Sequence, residues 1–279
     1  MNPRRPLYVS DMDGTLLDAH SQVPPEAAEL LNDLAQRGVL FTVATARTPA
    51  TVEPLLAGID TAVPAVVMTG AALWDRRRRQ YIDPRFIPAR LIGPLLEIFG
   101  NHGITPFVYT LGDNQILDVY HAGDLDKAER GFVADRTGLP LKRFHLSTPA
   151  PLDRCADRVM LLFAMGPMTA VEPLAEALRA RGDLAVSAYP DIFNPRRGYL
   201  EIFARGVSKA AGIRRLVEMT GADYLTVFGD NLNDLSMMAV ADRAVAVANA
   251  SEAVRAAADI VIGPNTAVAV PRYIAGQHP

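Results

Sequence analysis

The chain has 279 residues, of which 49% are hydrophobic and 21% charged, with a formal net charge of −3. That supplies a core for one large or two modest domains, and 28 basic against 31 acidic side chains leave no electrostatic footprint for nucleic acid. A single cysteine, Cys155, excludes an intramolecular disulfide framework and fits a reducing compartment, and no apolar run is long enough for a leader or a bilayer span, so a soluble cytoplasmic protein with no membrane partner is expected.

The first element is the apolar run Leu7-Tyr8-Val9-Ser10, which ends in Asp11-Met12-Asp13-Gly14-Thr15. In extended backbone, residues i and i+2 point to one side, so Asp11 and Asp13 can reach one small volume beyond the strand end. Two carboxylates that close repel unless a proton or cation is shared. Mg²⁺ favours a few carboxylates together with a phosphate partner, and an aspartate can itself be a phosphorylated nucleophile. Met12, pointing the other way, belongs to the core.

A helix opens at Pro24-Pro25, carries Ala27, Leu30, Leu31 and Leu34 on one face, and closes at Gly38. The strand Val39–Thr45, a helix over 50–57 and the strand Ala65–Met68 follow, which makes one βαβαβ run with strands apolar enough for burial on both faces. The run Arg76–Arg79 reads as a solvated hairpin turn between Ala71–Trp74 and Gln80–Ile82, because no aromatic residues interleave it.

From Pro84 the texture changes. Helices are expected over 89–101, 124–137 and 168–181, and strands over 104–111, 115–120, 158–164 and 184–189, with a hairpin turn at Gly112-Asp113-Asn114. This block is a candidate inserted α/β domain, residues 84–190, flanked by a core made of residues 1–83 and 191–279. Phe107–Tyr109, Tyr189 and Phe193–Arg197 are candidates to line its opening. The core resumes with a strand at Tyr199–Ala204, a helix capped by Ser208, the strand Tyr224–Phe228 and two further strands near 243–247 and 259–262. Pro271 is expected to disturb any last helix. Alternating strands and helices give an α/β, doubly wound parallel sheet. Tyr224–Phe228 runs into Gly229-Asp230-Asn231-Leu232-Asn233-Asp234, a second acidic turn at a strand's carboxyl end, where open α/β sheets build their sites.

Four stretches now carry a resemblance. Asp11–Thr15, Phe41–Arg47, Gly206–Lys209 and Gly229–Asp234 resemble, in order and over nearly the whole chain, the motifs of haloacid-dehalogenase-superfamily phosphatases, in particular the Cof-type branch with an α/β cap. The resemblance implies a Rossmann-like core with the inserted block as cap. It also implies a Mg²⁺-dependent phosphomonoesterase for small phosphorylated metabolites, with sugar phosphates the first expectation. Asp11 would be nucleophile and metal ligand. Asp13 would bind metal through its backbone oxygen and leave its side chain free to move the proton. Thr45 would hold a phosphate oxygen, and Arg47 the phosphate or a substrate hydroxyl. Lys209 would offset charge, Asp230 and Asp234 would complete the metal site, and Asn233 would touch phosphate.

The chain departs from the family at Ala46, at Thr69 and in the segment 263–266, and Thr69 is a weak site candidate. Two alternatives stay open: a phosphotransferase or mutase of the same superfamily, and a non-catalytic metabolite-binding protein. The scattered histidines give no zinc spacing.

Overall fold

The computed structural model describes residues 5–191 and 194–278. It divides into two compact units, one of residues 1–83 with 208–279 and one of residues 84–207.

The first unit begins with β1 (Pro6–Ser10), α1 (Pro25–Gln36), β2 (Leu40–Val43), α2 (Pro49–Leu55) and β3 (Ala65–Val67), then the hairpin β4 (Ala72–Asp75) and β5 (Gln80–Ile82). The second unit carries α3 (Ala89–Asn101), β6 (Phe107–Leu111), β7 (Leu117–His121), α4 (Lys127–Ala134) and β8 (Lys142–Leu146). It continues with α5 (Leu152–Cys155), β9 (Val159–Pro167), α6 (Met168–Arg179), β10 (Leu184–Pro190) and β11 (Arg197–Ala204). The chain then returns through α7 (Lys209–Thr220), β12 (Tyr224–Gly229), α8 (Leu235–Met238), β13 (Arg243–Val247), α9 (Glu252–Ala257), β14 (Ile260–Ile262) and α10 (Ala269–Gln277).

The main sheet of the first unit has the order β14-β13-β12-β1-β2, all parallel. Its strands read as near-continuous apolar runs because helices cover both faces. The order reverses beside β1, whose neighbours are β12 and β2, so the crevice past the carboxyl ends of these strands is the place for a site. Register makes this concrete. Ser10 lies level with Phe228 on one side and with Val43 on the other, so Asp11, Asp230 and Thr45 leave the sheet at nearly one height.

In the second unit the sheet order is β10-β11-β9-β6-β7-β8, antiparallel except for β7–β8. Val108, Leu162, Ala164, Leu200 and Ile202 pack with residues of α3 and α6, such as Leu95, Phe99 and Leu174, in one buried cluster. The alternate positions Phe107, Tyr109, Phe163 and Tyr199 face the other side, where Phe132 of α4 packs its ring 5.0 Å from that of Phe163.

Three expectations need correction. Tyr199–Ala204 does not return to the core: β11 pairs with β9 and β10, so the second unit ends at Val207 rather than at Pro190. A lone apolar strand carries no mark of the sheet it joins. The strand β8 was not expected, because Lys-Arg-Phe-His-Leu is polar at alternate places, as an edge strand can be. Pro271 does not break α10, since it sits in the first turn, where its missing N–H is not needed.

The arginine run does form the β4–β5 turn, but it is not wholly solvated. Arg76 donates to Leu56 O at 2.6 Å and Ile59 O at 2.7 Å, just past the end of α2, where a cation meets the helix's free carbonyls. Among the candidates for the opening, Phe107 and Tyr109 are buried and Tyr189 is exposed; Phe193 lies outside the described residues. Among the described residues no helix is long and apolar enough to cross a membrane.

Candidate active site

Asp11 leaves the end of β1 with its N–H bonded to Phe228 O at 2.9 Å, which ties the first acidic turn to β12. The turn Met12–Leu16 depends on Gly14 at φ +79. A Cβ there would fall 2.5 Å from Asp230 Oδ2, so only glycine lets the two acidic turns approach. Thr15 Oγ donates to Asp230 Oδ1 at 2.8 Å and fixes that carboxylate. Asp234 Oδ2 accepts the N–H groups of Asp230 and Asn231 at 2.9 and 3.0 Å, so the second turn closes on its own last residue. Met12 is fully buried, as expected of a core residue.

Oxygens of Asp11, Asp230 and Asp234 lie within 4.8 Å of one another. Lys209, 1% exposed, donates to Asp11 Oδ1 and, at 2.7 Å, to Asp234 Oδ1. It is the first residue of α7, whose cap Ser208 accepts from Ala211 N at 3.1 Å. The charges do not balance: three carboxylates share one ammonium. Burial alone would lower the Lys209 pKa, but Asp11 and Asp234 outweigh it and raise it, so the lysine stays charged. Burial raises Asp11, against the pull of Lys209. Burial, with Asp234 adding to it, pushes Asp230 up to about 6. Hard oxygen donors, close spacing and a deficit of positive charge fit a divalent cation, which Asp11, Asp230 and Asp234 would hold.

Asp13 stands apart from this cluster. Its side chain is half exposed and is clamped by Arg47, whose Nε and a terminal nitrogen lie 2.7 and 2.6 Å from the two carboxylate oxygens. The side chain expected to be free is thus held in a bidentate pair, and Arg47 is engaged by it. Thr45, 1% exposed, follows β2 and accepts the Arg47 N–H at 3.2 Å. Asn233 is exposed, whereas Asn231 caps the turn through its side chain.

Beside Thr45 the chain makes three successive left-handed residues, Met68, Thr69 and Gly70, at φ 50, 56 and 91. A β-branched residue in that region costs about 1–3 kcal/mol. The run is held because Met68 N–H reaches Arg47 O at 3.0 Å and Thr69 N–H reaches Thr45 O at 2.9 Å. A Cβ on Gly70 would sit 2.1 Å from Ser208 O. The run therefore docks the Thr45 loop against the residue before Lys209. The Thr69 hydroxyl is buried and without a partner among the described residues.

Asn249 and Asn265 did not stand out in the sequence. Asn249 Nδ2 donates to Gly14 O at 2.8 Å, its Oδ1 accepts Asn265 N–H at 2.9 Å, and Asn265 Nδ2 donates to Leu17 O at 2.7 Å. They brace the turn that follows Asp11 from the far end of the chain. The only hint was the Pro264-Asn265 pair, an ordinary turn signal.

The arrangement matches a known family across its length. Residues 8–274 fit the model of a haloacid dehalogenase-like hydrolase. The chain belongs to that family. The Cof-type resemblance is borne out as well. This haloacid dehalogenase-like hydrolase is 26% identical over 271 residues to pyridoxal phosphate phosphatase YbhA of Escherichia coli, covering 95% of each chain. It is 27% identical over 261 residues to the HMP-PP phosphatase of Serratia proteamaculans, covering 88% of this chain and 84% of that one. Its fold superposes on a haloacid dehalogenase-like hydrolase from Bacteroides thetaiotaomicron with a TM-score of 0.78 at 22% identity, over 98% of this chain and 100% of that one.

Proposed function

We propose that this haloacid dehalogenase-like hydrolase is a Mg²⁺-dependent phosphomonoesterase acting on small phosphorylated metabolites through an aspartyl-phosphate. The observation that carries the reading is the buried Asp11 and Asp234 with the half-buried Asp230, gathered round the ammonium of Lys209. Asp11 attacks phosphorus through a carboxylate oxygen while the ester oxygen leaves with a proton from Asp13. Water then gives its proton to Asp13 and attacks the aspartyl-phosphate, which restores both carboxyl groups. Arg47 orients the Asp13 carboxyl, and Thr45 and Lys209 hold phosphoryl oxygens. Asn233 is a further phosphate contact. The cation would be held by Asp11, Asp230 and Asp234, with the backbone oxygen of Asp13, and would supply charge neutralisation at the phosphate.

Relatives named for pyridoxal phosphate, for HMP-PP and for 5-amino-6-(5-phospho-D-ribitylamino)uracil support a small phosphorylated metabolite as substrate. Sugar phosphates are one member of that range. The 84–207 unit acts as the cap that selects the leaving group, a role that its own sheet and core support. The unpaired Cys155 supports a cytoplasmic setting.

The test is Asp11→Asn. Phosphate release from a panel of phosphorylated metabolites should fall at least about 10³-fold with the circular dichroism spectrum unchanged. EDTA should abolish turnover and Mg²⁺ restore it. Near-normal hydrolysis by Asp11→Asn protein would overturn the mechanism. Phosphate passing to an added sugar rather than to water would turn the reading into the transferase one.

A further inference from the structure

The arginine turn takes no part in the site around Asp11, yet it borders a cavity of about 240 Å³. Arg76, Arg77 and Arg78 form one part of the lining, and the loop Thr61–Pro64 forms another. That loop leads into Ala65 of β3, and the turn follows Asp75 of β4, which runs antiparallel to β3. The cavity is therefore at the amino end of β3. The Thr45 loop meets the opposite end of the same strand, through the N–H of Thr69.

Three features of the lining point to an anion. The first is charge. Four arginines, Arg76 to Arg79, stand against three carboxylates, Glu53, Asp60 and Asp75, which pair with the first three of them. Asp75, the one carboxylate in the lining, is already engaged: its Oδ1 accepts the N–H groups of Arg77 and Arg78 at 3.0 and 2.9 Å, which fixes the turn. The second feature is that two guanidinium groups are easily released. Arg77 holds Asp60 at 2.9 Å with both side chains exposed, and the exposed Arg78 is 3.6 Å from Asp75. Exposed pairs of this kind contribute little, so a doubly charged ligand can take over both arginines. Arg76 stays in place, because the carbonyls of Leu56 and Ile59 hold it, and it donates to Thr61 Oγ1 at 3.3 Å. The third feature is backbone. The N–H groups of Thr61, Ala62 and Val63 make no hydrogen bond among the described residues, although Thr61 and Val63 are buried. Idle donors beside buried residues need an acceptor, and successive N–H groups make anion-binding concavities.

Size and charge narrow the ligand. Clefts for drug-sized molecules run from about 300 to 1,000 Å³, so this cavity suits one small group rather than a complete metabolite. Guanidinium forks match the paired oxygens of a phosphate. A phosphate dianion also brings enough charge to replace Asp60 and Asp75 together, which a single carboxylate does not. We propose that this cavity is a second anion site, in which Arg77, Arg78 and the Thr61–Val63 backbone bind a phosphate group, either the free ion or the terminal group of a phosphorylated molecule. The site needs no metal and does not rest on the phosphatase reading.

The test is binding to the full chain in EDTA, where the crowded carboxylates of Asp11, Asp230 and Asp234 repel an anion. Inorganic phosphate is titrated at constant ionic strength and neutral pH, followed by calorimetry and by NMR of the backbone amides. The resonances of Thr61, Ala62 and Val63 should move. Replacing both lining arginines, Arg77→Gln with Arg78→Gln, should weaken binding at least about tenfold, because charge-assisted hydrogen bonds are lost. Asp60→Asn frees Arg77 and should tighten binding about two- to fivefold. Arg154→Gln with Arg158→Gln removes the same charge from exposed positions of the second unit and should leave the affinity unchanged. Glucose 6-phosphate binding as well as inorganic phosphate assigns the site to a terminal phosphate group; inorganic phosphate binding alone assigns it to the free ion. No binding up to about 10 mM phosphate, an affinity unchanged without Arg77 and Arg78, an equal loss without Arg154 and Arg158, or shifts confined to the surroundings of Lys209 overturns the proposal. Asp11→Asn protein should bind phosphate here as the wild type does while failing to turn over substrate, so the two readings fail separately.

Discussion

Two lysines in this molecule are buried and live in opposite surroundings. Lys209 sits against Asp11 and Asp234, and the carboxylates hold its proton on more firmly than water does. Lys142 sits against the rings of Tyr109 and Phe144 with Arg136 near, and its proton is easily lost. Burial alone drives both toward the neutral form. The partner decides the outcome: one lysine is a fixed charge that offsets carboxylates, the other an amine that gives up its proton readily.

The largest effect that separates them is on stability. Lys209→Met leaves three carboxylates crowded without their ammonium and should destabilise the metal-free protein by about 3–5 kcal/mol, read as the urea midpoint. A loss below about 1 kcal/mol would mean that the pair contributes little. Next comes the turn that brings the carboxylates together. Gly14→Ala places a methyl at φ +79 and within 2.5 Å of Asp230 Oδ2, so it should cost about 1–3 kcal/mol and disturb Mg²⁺ binding measured by calorimetry. Unchanged Mg²⁺ affinity would show that the two turns need not approach.

The pH dependences should have opposite signs. Asp230 is raised to about 6, so between about pH 4 and 6 the native state binds a proton that the unfolded chain has lost. Stability of the metal-free protein therefore falls as pH rises through that window, and Asp230→Asn should flatten the fall. Lys142 is lowered to about 7, so between about pH 7 and 10 the unfolded chain carries the extra proton. Stability rises with pH there, and Lys142→Met should flatten the rise. Melting temperatures in a pH series, wild type minus variant, check both, and either slope with the reverse sign breaks the comparison. The smallest effect is Lys142→Met at pH 7, expected to be neutral or stabilising by up to about 1 kcal/mol, because a hydrophobic chain of similar shape replaces an unpaired cation. A strong destabilisation would show that Lys142 has a structural partner.

The candidate site was legible because each of its residues sits in a short local pattern at a strand's end or, for Lys209, at a helix start. Asp11, Thr45, Lys209 and Asp230 can be read from four such segments; parallel pairing brings three of them together, and α7 packed against the Gly70 turn adds Lys209. The helix cap at Ser208 and the β4–β5 hairpin were legible for the same reason. What lay beyond local pattern was lost. Nothing in Tyr199–Ala204 says which sheet it joins, since pairing is decided by partners dozens of residues away. Asn249 and Asn265 brace Gly14 and Leu17 over separations of 235 and 248 residues, so no spacing announces them. The clamp of Arg47 on Asp13 and the isolation of Lys142 are facts of side-chain placement. A sequence names the groups that can carry charge, but a group's proton depends on burial and on its nearest neighbours, and only the tertiary structure assigns those.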